Sequence, residues 1–228
     1  MLSKQENFIL LIDSAGQKCS AAISQATKII SYAKETNTLE SSSVLTNLIE
    51  SVCDTASINL KDLQAIAINI GPGSYTGLRV GLTTVKALCY TLNKPLIAIK
   101  SLYITVYNML KEIGGLDRES FLCPIVKSRS GEFFLSIYNP ELKEILSPIS
   151  AKTDSCLFYK YLDYKLIFIG EKQLEDQCIK HKNVSFYEFN ISADKMASIA
   201  QRKFLLKEFE SITNIVPIYG KEVFISKY

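Results

Sequence analysis

The sequence is poor in histidine and lacks tryptophan, and the shortage of histidine narrows the chemistry that the chain can support. His181 is the single histidine in 228 residues. A HExxH zinc site or a multi-histidine iron site needs more than one histidine, so both are excluded. His181 lies in the polar stretch IKHKNVSF. We therefore interpret it as a solvated loop residue, not as the base of a Ser-His-Asp triad.

Long apolar runs, strong charge and paired cysteines are also lacking. The longest apolar stretches, such as 8–12, are far too short to cross a bilayer, and we expect neither a membrane segment nor a secretory signal. A net charge of +3 does not by itself indicate a nucleic-acid-binding face. None of the six cysteines lies in a CxxC pair, which favours free thiols in a reducing compartment over a disulfide framework.

The composition that is present is that of a globular protein, with 47% hydrophobic and 21% charged residues. The first hundred residues contain apolar or alternating stretches that predict five strands. Amphipathic spacing predicts helices at 43–56 and 75–92. The strands are predicted at 7–13, 18–24, 28–35, 65–71 and 94–99. The order β-β-β-α-β-α-β predicts an α/β fold in which helices cover a mixed sheet.

The later chain repeats this pattern loosely. We predict a helix over 101–113 and strands over 121–126 and 132–139, and a further strand, EILSPIS, is weakened by its proline. TDSCLFYKYL suggests a helix, and the stripe of Met196, Ile199, Ala200 and Phe204 predicts one over 192–209. This repeated order of elements indicates two related lobes joined near residue 102.

One segment, GPGSYTGLRVGLTTVKAL at 71–88, has glycines directly after a predicted strand. Glycine permits the turns with φ > 0 that an abrupt strand exit requires, and Ser74 or Thr76 can cap the helix that follows. Gly77 and Gly81 lie four residues apart, so they share one helical face. Three interpretations stay open: a tight turn with close internal packing, a cradle for an anion, and a contact with a helix of another subunit.

Residues 65–102 closely resemble the signature of the bacterial TsaB (YeaZ) proteins, the paralogues of TsaD in the tRNA threonylcarbamoyladenosine system. The family pattern is roughly AI…GPGSFTGLRIGLATAKGLA…IPL…VSSL, and Tyr75 replaces its phenylalanine. The matching signature-loop residues are Gly71, Pro72, Gly73, Ser74, Tyr75, Thr76 and Arg79. Similarity is thinner in ILLIDSAGQKCSAAI, SRSGEFFLSIY and PIYGK. The family's His-Ser pair appears here as Ser41-Ser42, an aspartate of its later turn is Lys127, and its late arginine falls near Lys221.

The resemblance implies the ASKHA fold of actin-like ATPases, with two ribonuclease-H-like lobes of mixed sheets flanked by helices. Residues 1–102 would form the first lobe, completed by a returning helix near 192–211, and 103–228 the second. Active members of this fold carry an acidic residue where strand one ends, and Asp13 stands there. Asp13 is either a vestigial phosphate or metal carboxylate, or the cap of the turn at 14–17.

The resemblance further implies a non-catalytic scaffold subunit that is needed to threonylcarbamoylate the adenosine next to the anticodon of tRNAs. It would pair with and activate TsaD, support the ATPase partner TsaE, meet tRNA through the complex and form a homodimer when TsaD is absent. Its location would be cytoplasmic, away from any membrane. No catalytic residue, metal or tightly bound cofactor of its own is implied, and ATP or ADP at the interface with TsaD stays open.

The implied interface is the surface of the two helices in the first lobe. Its predicted members are Leu45, Leu48, Ile49, Val52, Gly77, Leu78, Gly81, Leu82 and Val85. The alternative is that the apolar side chains of the first helix cover their own sheet. Two other functions are kept as alternatives: an active ASKHA-type nucleotide-binding ATPase or kinase that uses Asp13, and a metallopeptidase-like protein.

Overall fold

The structure, a computed structural model, describes residues 7–35, 41–114, 116–128, 131–153 and 156–219. The chain divides into two compact units. The first unit is Met1–Lys100 with Ile191–Pro217, and the second is Ser101–Asn190 with Ile218–Tyr228. Within the described ranges, no helix has the length and apolar character that a membrane span requires.

The first unit is built on a five-stranded mixed sheet of order β3-β2-β1-β4-β5. Its strands are β1 (Phe8–Asp13), β2 (Cys19–Gln25), β3 (Lys28–Glu35), β4 (Ala65–Asn69) and β5 (Leu96–Ile99). β2 pairs antiparallel with β1 and β3, whereas β4 runs parallel to β1 and β5. β1 and β4 read as nearly continuous apolar runs because helices cover both faces of the sheet there.

Two helices, α1 (Ser41–Ala56) and α2 (Tyr75–Leu92), cover one face of this sheet. Their apolar stripes meet alternate strand residues such as Leu10, Ile12 and Ile66, which together form the core of the unit. The order of elements in the first hundred residues and the predicted helix at 75–92 are therefore confirmed.

The chain returns to the first sheet near its end. A 3₁₀ turn at Ala193–Met196 leads into α4 (Ala197–Leu205), and both pack on the strands. The prediction of a helix through residue 209 is wrong at its end because Lys207 adopts a left-handed conformation with φ of 57°. Beyond this turn the backbone N–H of Glu210 donates to Leu96 O at 2.9 Å, beside the edge strand β5.

The second unit repeats the sheet of the first. Its strands are β6 (Ser120–Lys127), β7 (Phe133–Tyr138), β8 (Glu144–Ala151), β9 (Lys165–Gly170) and β10 (Val184–Glu188), and α3 (Ser101–Ile113) packs on them. Their order, β10-β9-β6-β7-β8, has the same pattern of parallel and antiparallel pairs. Pro148 is tolerated because β8 is an edge strand. The helix expected from TDSCLFYKYL is a 3₁₀ helix at Cys156–Tyr161.

Candidate functional site

The candidate site lies where the parallel strands β1 and β4 end side by side, so that Asp13 and Asn69 come together. Nδ2 of Asn69 donates to Oδ1 of Asp13 at 2.9 Å, and the Ala15 amide donates to the same oxygen at 3.1 Å. Oδ1 of Asn69 accepts the Gly71 amide at 3.0 Å. These bonds tie the turn after β1 to the loop after β4, and the bond to Ala15 is the pattern of a residue that caps its own turn.

Asp13 is poorly suited to hold a cation. Its side chain is 3% exposed, and its Oδ1 already accepts two hydrogen bonds. Burial raises the pKa of Asp13 to about 6. The hydrogen bonds from Ala15 and Asn69 lower this pKa, and the nearby charge of Asp194 raises it further. Magnesium keeps several water ligands when a protein binds it, and a buried carboxyl whose Oδ1 already accepts two hydrogen bonds leaves little room for them. Among the described residues, no group of three or more His, Cys, Asp and Glu side chains is arranged to hold a metal ion.

The glycines of the signature segment lie against the turn after β1. A Cβ atom added to Gly73 would lie 2.2 Å from Ala15 O, and one added to Gly77 would lie 2.1 Å from Ser14 O. At Gly81 the added atom would lie 2.1 Å from Ser14 Oγ. Real Cβ atoms do not approach so closely, so Gly73 and Gly77 are required by their contact with the backbone after β1, whereas Gly81 meets a serine hydroxyl that can rotate.

Three N–H groups of the signature loop donate hydrogen bonds within the chain. The Gly71 amide donates to Asn69, and the Ser74 amide donates to Ala15 O at 2.6 Å. The Gly77 amide donates to Ser74 Oγ at 3.3 Å, so Ser74, not Thr76, is the N-cap of α2. An anion cradle needs backbone amides that point at a ligand, and these three point at protein oxygens.

The signature loop divides into an inner and an outer part. Gly71 and Pro72 are buried, whereas Ser74, Tyr75 and Thr76 are exposed. Arg79, one turn into α2, places its guanidinium 4.2 Å from the centroid of the Tyr75 ring. The outer part therefore forms a small aromatic and cationic surface at the start of α2.

The predicted interface residues on α1 and α2 do not face outward. The structure buries most of them in the core of the first unit: Leu45, Leu48, Ile49, Val52, Leu78, Gly81, Leu82 and Val85. Gly77 is half-buried against Ser14. The assignment of these side chains to an outer face is corrected, because their apolar spacing marks the stripe that covers the sheet. The exposed faces of the same helices carry other residues.

Several residues that build the site were not predicted from the sequence. Ser14 donates from Oγ to Gly77 O at 2.9 Å, and Ser20 Oγ accepts the Ala193 amide at 3.0 Å. Asn69 carried a signal, since a single amide ends the otherwise apolar strand AIAIN. Ser14 and Ser20 carried none, because their partners lie 63 and 173 positions away in the chain.

The architecture is shared with known structures. A Pseudomonas aeruginosa protein described as similar to the peptidase YeaZ superposes with a TM-score of 0.78 at 18% identity, covering 94% of this chain and all of that one. An inorganic polyphosphate/ATP-glucomannokinase from Arthrobacter superposes with a TM-score of 0.51 at 11% identity, covering 88% of this chain and 99% of that one. The chain has an α/β fold of the ASKHA class.

Sequence comparison narrows this class. Residues 35–217 match the family model "TsaD: tRNA N6-adenosine threonylcarbamoyltransferase". The tRNA threonylcarbamoyladenosine biosynthesis protein TsaB of Bacillus subtilis is 26% identical over 222 residues, which cover 92% of this chain and 93% of that protein. The chain therefore belongs to the TsaD family, and within it to the TsaB (YeaZ) branch.

Proposed function

We propose that this chain is a non-catalytic scaffold subunit in the biosynthesis of threonylcarbamoyladenosine in tRNA. It pairs with TsaD, holds TsaD in its active conformation and supports TsaE, while TsaD modifies the adenosine next to the anticodon. The family match and the full-length relatives named for this biosynthesis support the pathway. The proposal places the chain in the cytoplasm, where it meets tRNA through the complex.

The observation that carries the non-catalytic role is the internal use of the signature loop. The amides of Gly71, Ser74 and Gly77 donate to protein oxygens, and the carboxyl of Asp13 is buried with its pKa raised. An ASKHA enzyme needs an accessible acidic residue and phosphate-binding amides at this place. Here the same residues bind the turn after β1 to α2, which favours a structural use of the motif.

The pairing surface that we propose is the outer face of α1 and α2. Exposed residues with short side chains follow one another at four-residue spacing along α1, which allows a partner helix to approach closely. They are Ser43, Asn47, Ser51 and Thr55. On α2 the exposed Thr83 and Ala87 lie between Arg79 and Tyr90, and Tyr90 is 80% exposed. Arginine and tyrosine are residues that dominate binding energy at interfaces.

This surface fits TsaD as the partner, or a second copy of this chain when TsaD is absent. A partner that binds only the competent state of an enzyme shifts the enzyme's population towards that state, which would account for activation. No cofactor is bound tightly by this chain alone in the proposal, and any ATP or ADP lies at the junction with TsaD.

Depletion of the chain from cells tests the proposed pathway. We expect threonylcarbamoyladenosine to disappear from tRNA, as measured by mass spectrometry of nucleosides, and to return when the gene is restored. The purified chain should co-elute with TsaD in gel filtration and give no heat with ATP and magnesium in isothermal titration. Unchanged modification after depletion would refute the pathway, and magnesium-dependent ATP turnover by the chain alone would refute the non-catalytic role.

A further inference from the structure

The starting edge of β9 and β10, in the second unit, brings two polar segments together. These strands run parallel, so the segments before them, 159–165 and 180–184, lie side by side. Asn183 joins the two: its Nδ2 donates to Leu162 O at 2.7 Å, and its carbonyl accepts the Leu166 amide at 2.9 Å. We call the surface of these two segments the Lys/Tyr edge.

The Lys/Tyr edge is basic in a chain with little excess charge. Its four lysines stand against one aspartate, Asp163, so its net charge of +3 equals that of the whole chain. The lysines are Lys160, Lys165, Lys180 and Lys182, and all are exposed. Lys180 is held 3.8 Å from the Asp176 carboxylate, which leaves the other three as the cations of this surface.

Two tyrosine rings accompany these lysines. Tyr159 is 62% exposed and Tyr164 is 42% exposed. Tyr164 packs edge-to-face on Phe121 with 5.3 Å between ring centroids, which limits the rotation of its ring. Nζ of Lys160 lies 4.9 Å from the centroid of the Tyr161 ring, so the amine stays at the edge.

We propose that the Lys/Tyr edge binds RNA that contains unpaired bases. Lysines on one surface neutralise successive phosphates, and exposed rings stack on bases that a duplex keeps hidden. An acidic protein segment or an anionic membrane would also attract the lysines, and tyrosines occur at such contacts too, so these two occupants are tested below against RNA. In the loop before the neighbouring strand β6, Asp117 and Glu119 outnumber Arg118, so we expect the RNA to lie along β9 and β10.

The first test measures phosphate contacts. Fluorescence anisotropy of a fluorescein-labelled single-stranded RNA is followed with the purified full chain over a range of salt concentrations. The triple variant Lys160→Gln, Lys165→Gln, Lys182→Gln should bind more weakly, and its log–log salt slope should be smaller by about 2, since each contact with a single strand contributes about 0.7. The matched control replaces three exposed lysines elsewhere: Lys18→Gln, Lys28→Gln and Lys143→Gln.

The second test measures stacking. Tyr159→Ala should weaken binding of the single strand about tenfold and leave binding of the matched duplex unchanged. Tyr164→Phe keeps the ring and its packing on Phe121, so it should keep the affinity of the wild type. Circular dichroism of each variant shows whether the fold is intact.

Three results would overturn this inference. They are an equal loss in the control triple, equal affinity for single strand and duplex, and binding to phosphatidylserine vesicles or polyglutamate as tight as to RNA. The last result would assign the edge to a membrane or to an acidic protein. Co-elution with TsaD does not involve this edge, so the triple variant should keep it, and the scaffold proposal and the RNA proposal can fail separately.

Discussion

The two units share one sheet topology but differ in what connects the strands. Between β3 and β4, and between β4 and β5, the first unit has helices of 16 and 18 residues. At the corresponding places the second unit has 3₁₀ helices of six residues each, Cys156–Tyr161 and Lys172–Gln177. The sheet therefore forms with or without long crossover helices. Among the described residues, two long crossover helices on one face of a sheet occur in the first unit alone, which is why we place the pairing function there.

The ends of the first strand in each unit also differ. Asp13 ends β1 opposite Ser20, and Lys127 ends β6 opposite Phe133 at the corresponding register. Asp13 is buried and bonded to Asn69, whereas Lys127 is exposed. Both units nevertheless need a glycine where the fourth strand exits, since a Cβ atom on Gly170 would lie 2.8 Å from Ile125 O. Close backbone packing is common to the two units, and the buried carboxyl is particular to the first.

The largest expected effect comes from filling the glycine contact of the first unit. Gly77→Ala would place a Cβ atom on Ser14 O, and we expect the free energy of unfolding to fall by about 3 kcal/mol as the chain shifts to relieve the clash. Thermal unfolding followed by circular dichroism measures the loss. Gly16→Ala is the control, because the atom nearest to its added Cβ would be 3.8 Å away. A folded Gly77→Ala variant of unchanged stability would contradict the packing.

The second effect concerns the buried carboxyl that distinguishes β1 from β6. The pKa of Asp13 is raised from 3.8 to about 6, so the folded state binds the proton more tightly and the wild type loses stability as pH rises from 4 to 6. Asp13→Asn removes this loss and can still accept the Ala15 amide. Relative to the wild type, the variant should gain about 2.4 kcal/mol between pH 4 and 7 in urea unfolding. A difference that does not change with pH would show that Asp13 has an ordinary pKa.

The smallest of the three effects tests whether pairing belongs to the first unit. Ala87→Arg puts a long cation on the exposed face of α2, and we expect it to weaken binding to TsaD by about 2 kcal/mol without unfolding the chain. Gln173→Arg makes a similar exposed change on the short helix of the second unit and should have no effect. Isothermal titration with purified TsaD measures both. Equal affinities of the two variants for TsaD would show that the interface does not include this face of α2.

The sequence was sufficient for the order of strands and helices along the first hundred residues and for α2, because periodicity and glycine position are local signals. The residues predicted to form the interface on α1 and α2 are instead buried in the core. An apolar stripe indicates that a helix face is covered, but it does not indicate what covers that face. Leu48 and Val85 had the spacing of a contact face, and that contact is with their own sheet. Asn69 had a local signal as the one amide in an apolar strand, but its bond to Asp13 spans 56 positions and could not be predicted from spacing.

Each unit contains a helix that follows, in the chain, the last strand of the other unit, and this has a consequence for synthesis on the ribosome. α3 follows β5 of the first sheet yet packs in the second unit, and α4 follows β10 of the second sheet yet packs in the first. The nascent first lobe must therefore wait for Ala193 to emerge before Ser20 meets its partner. A fragment cut after residue 100 would lack α4 and the turn before it, so the face of the sheet that they cover would be exposed to water.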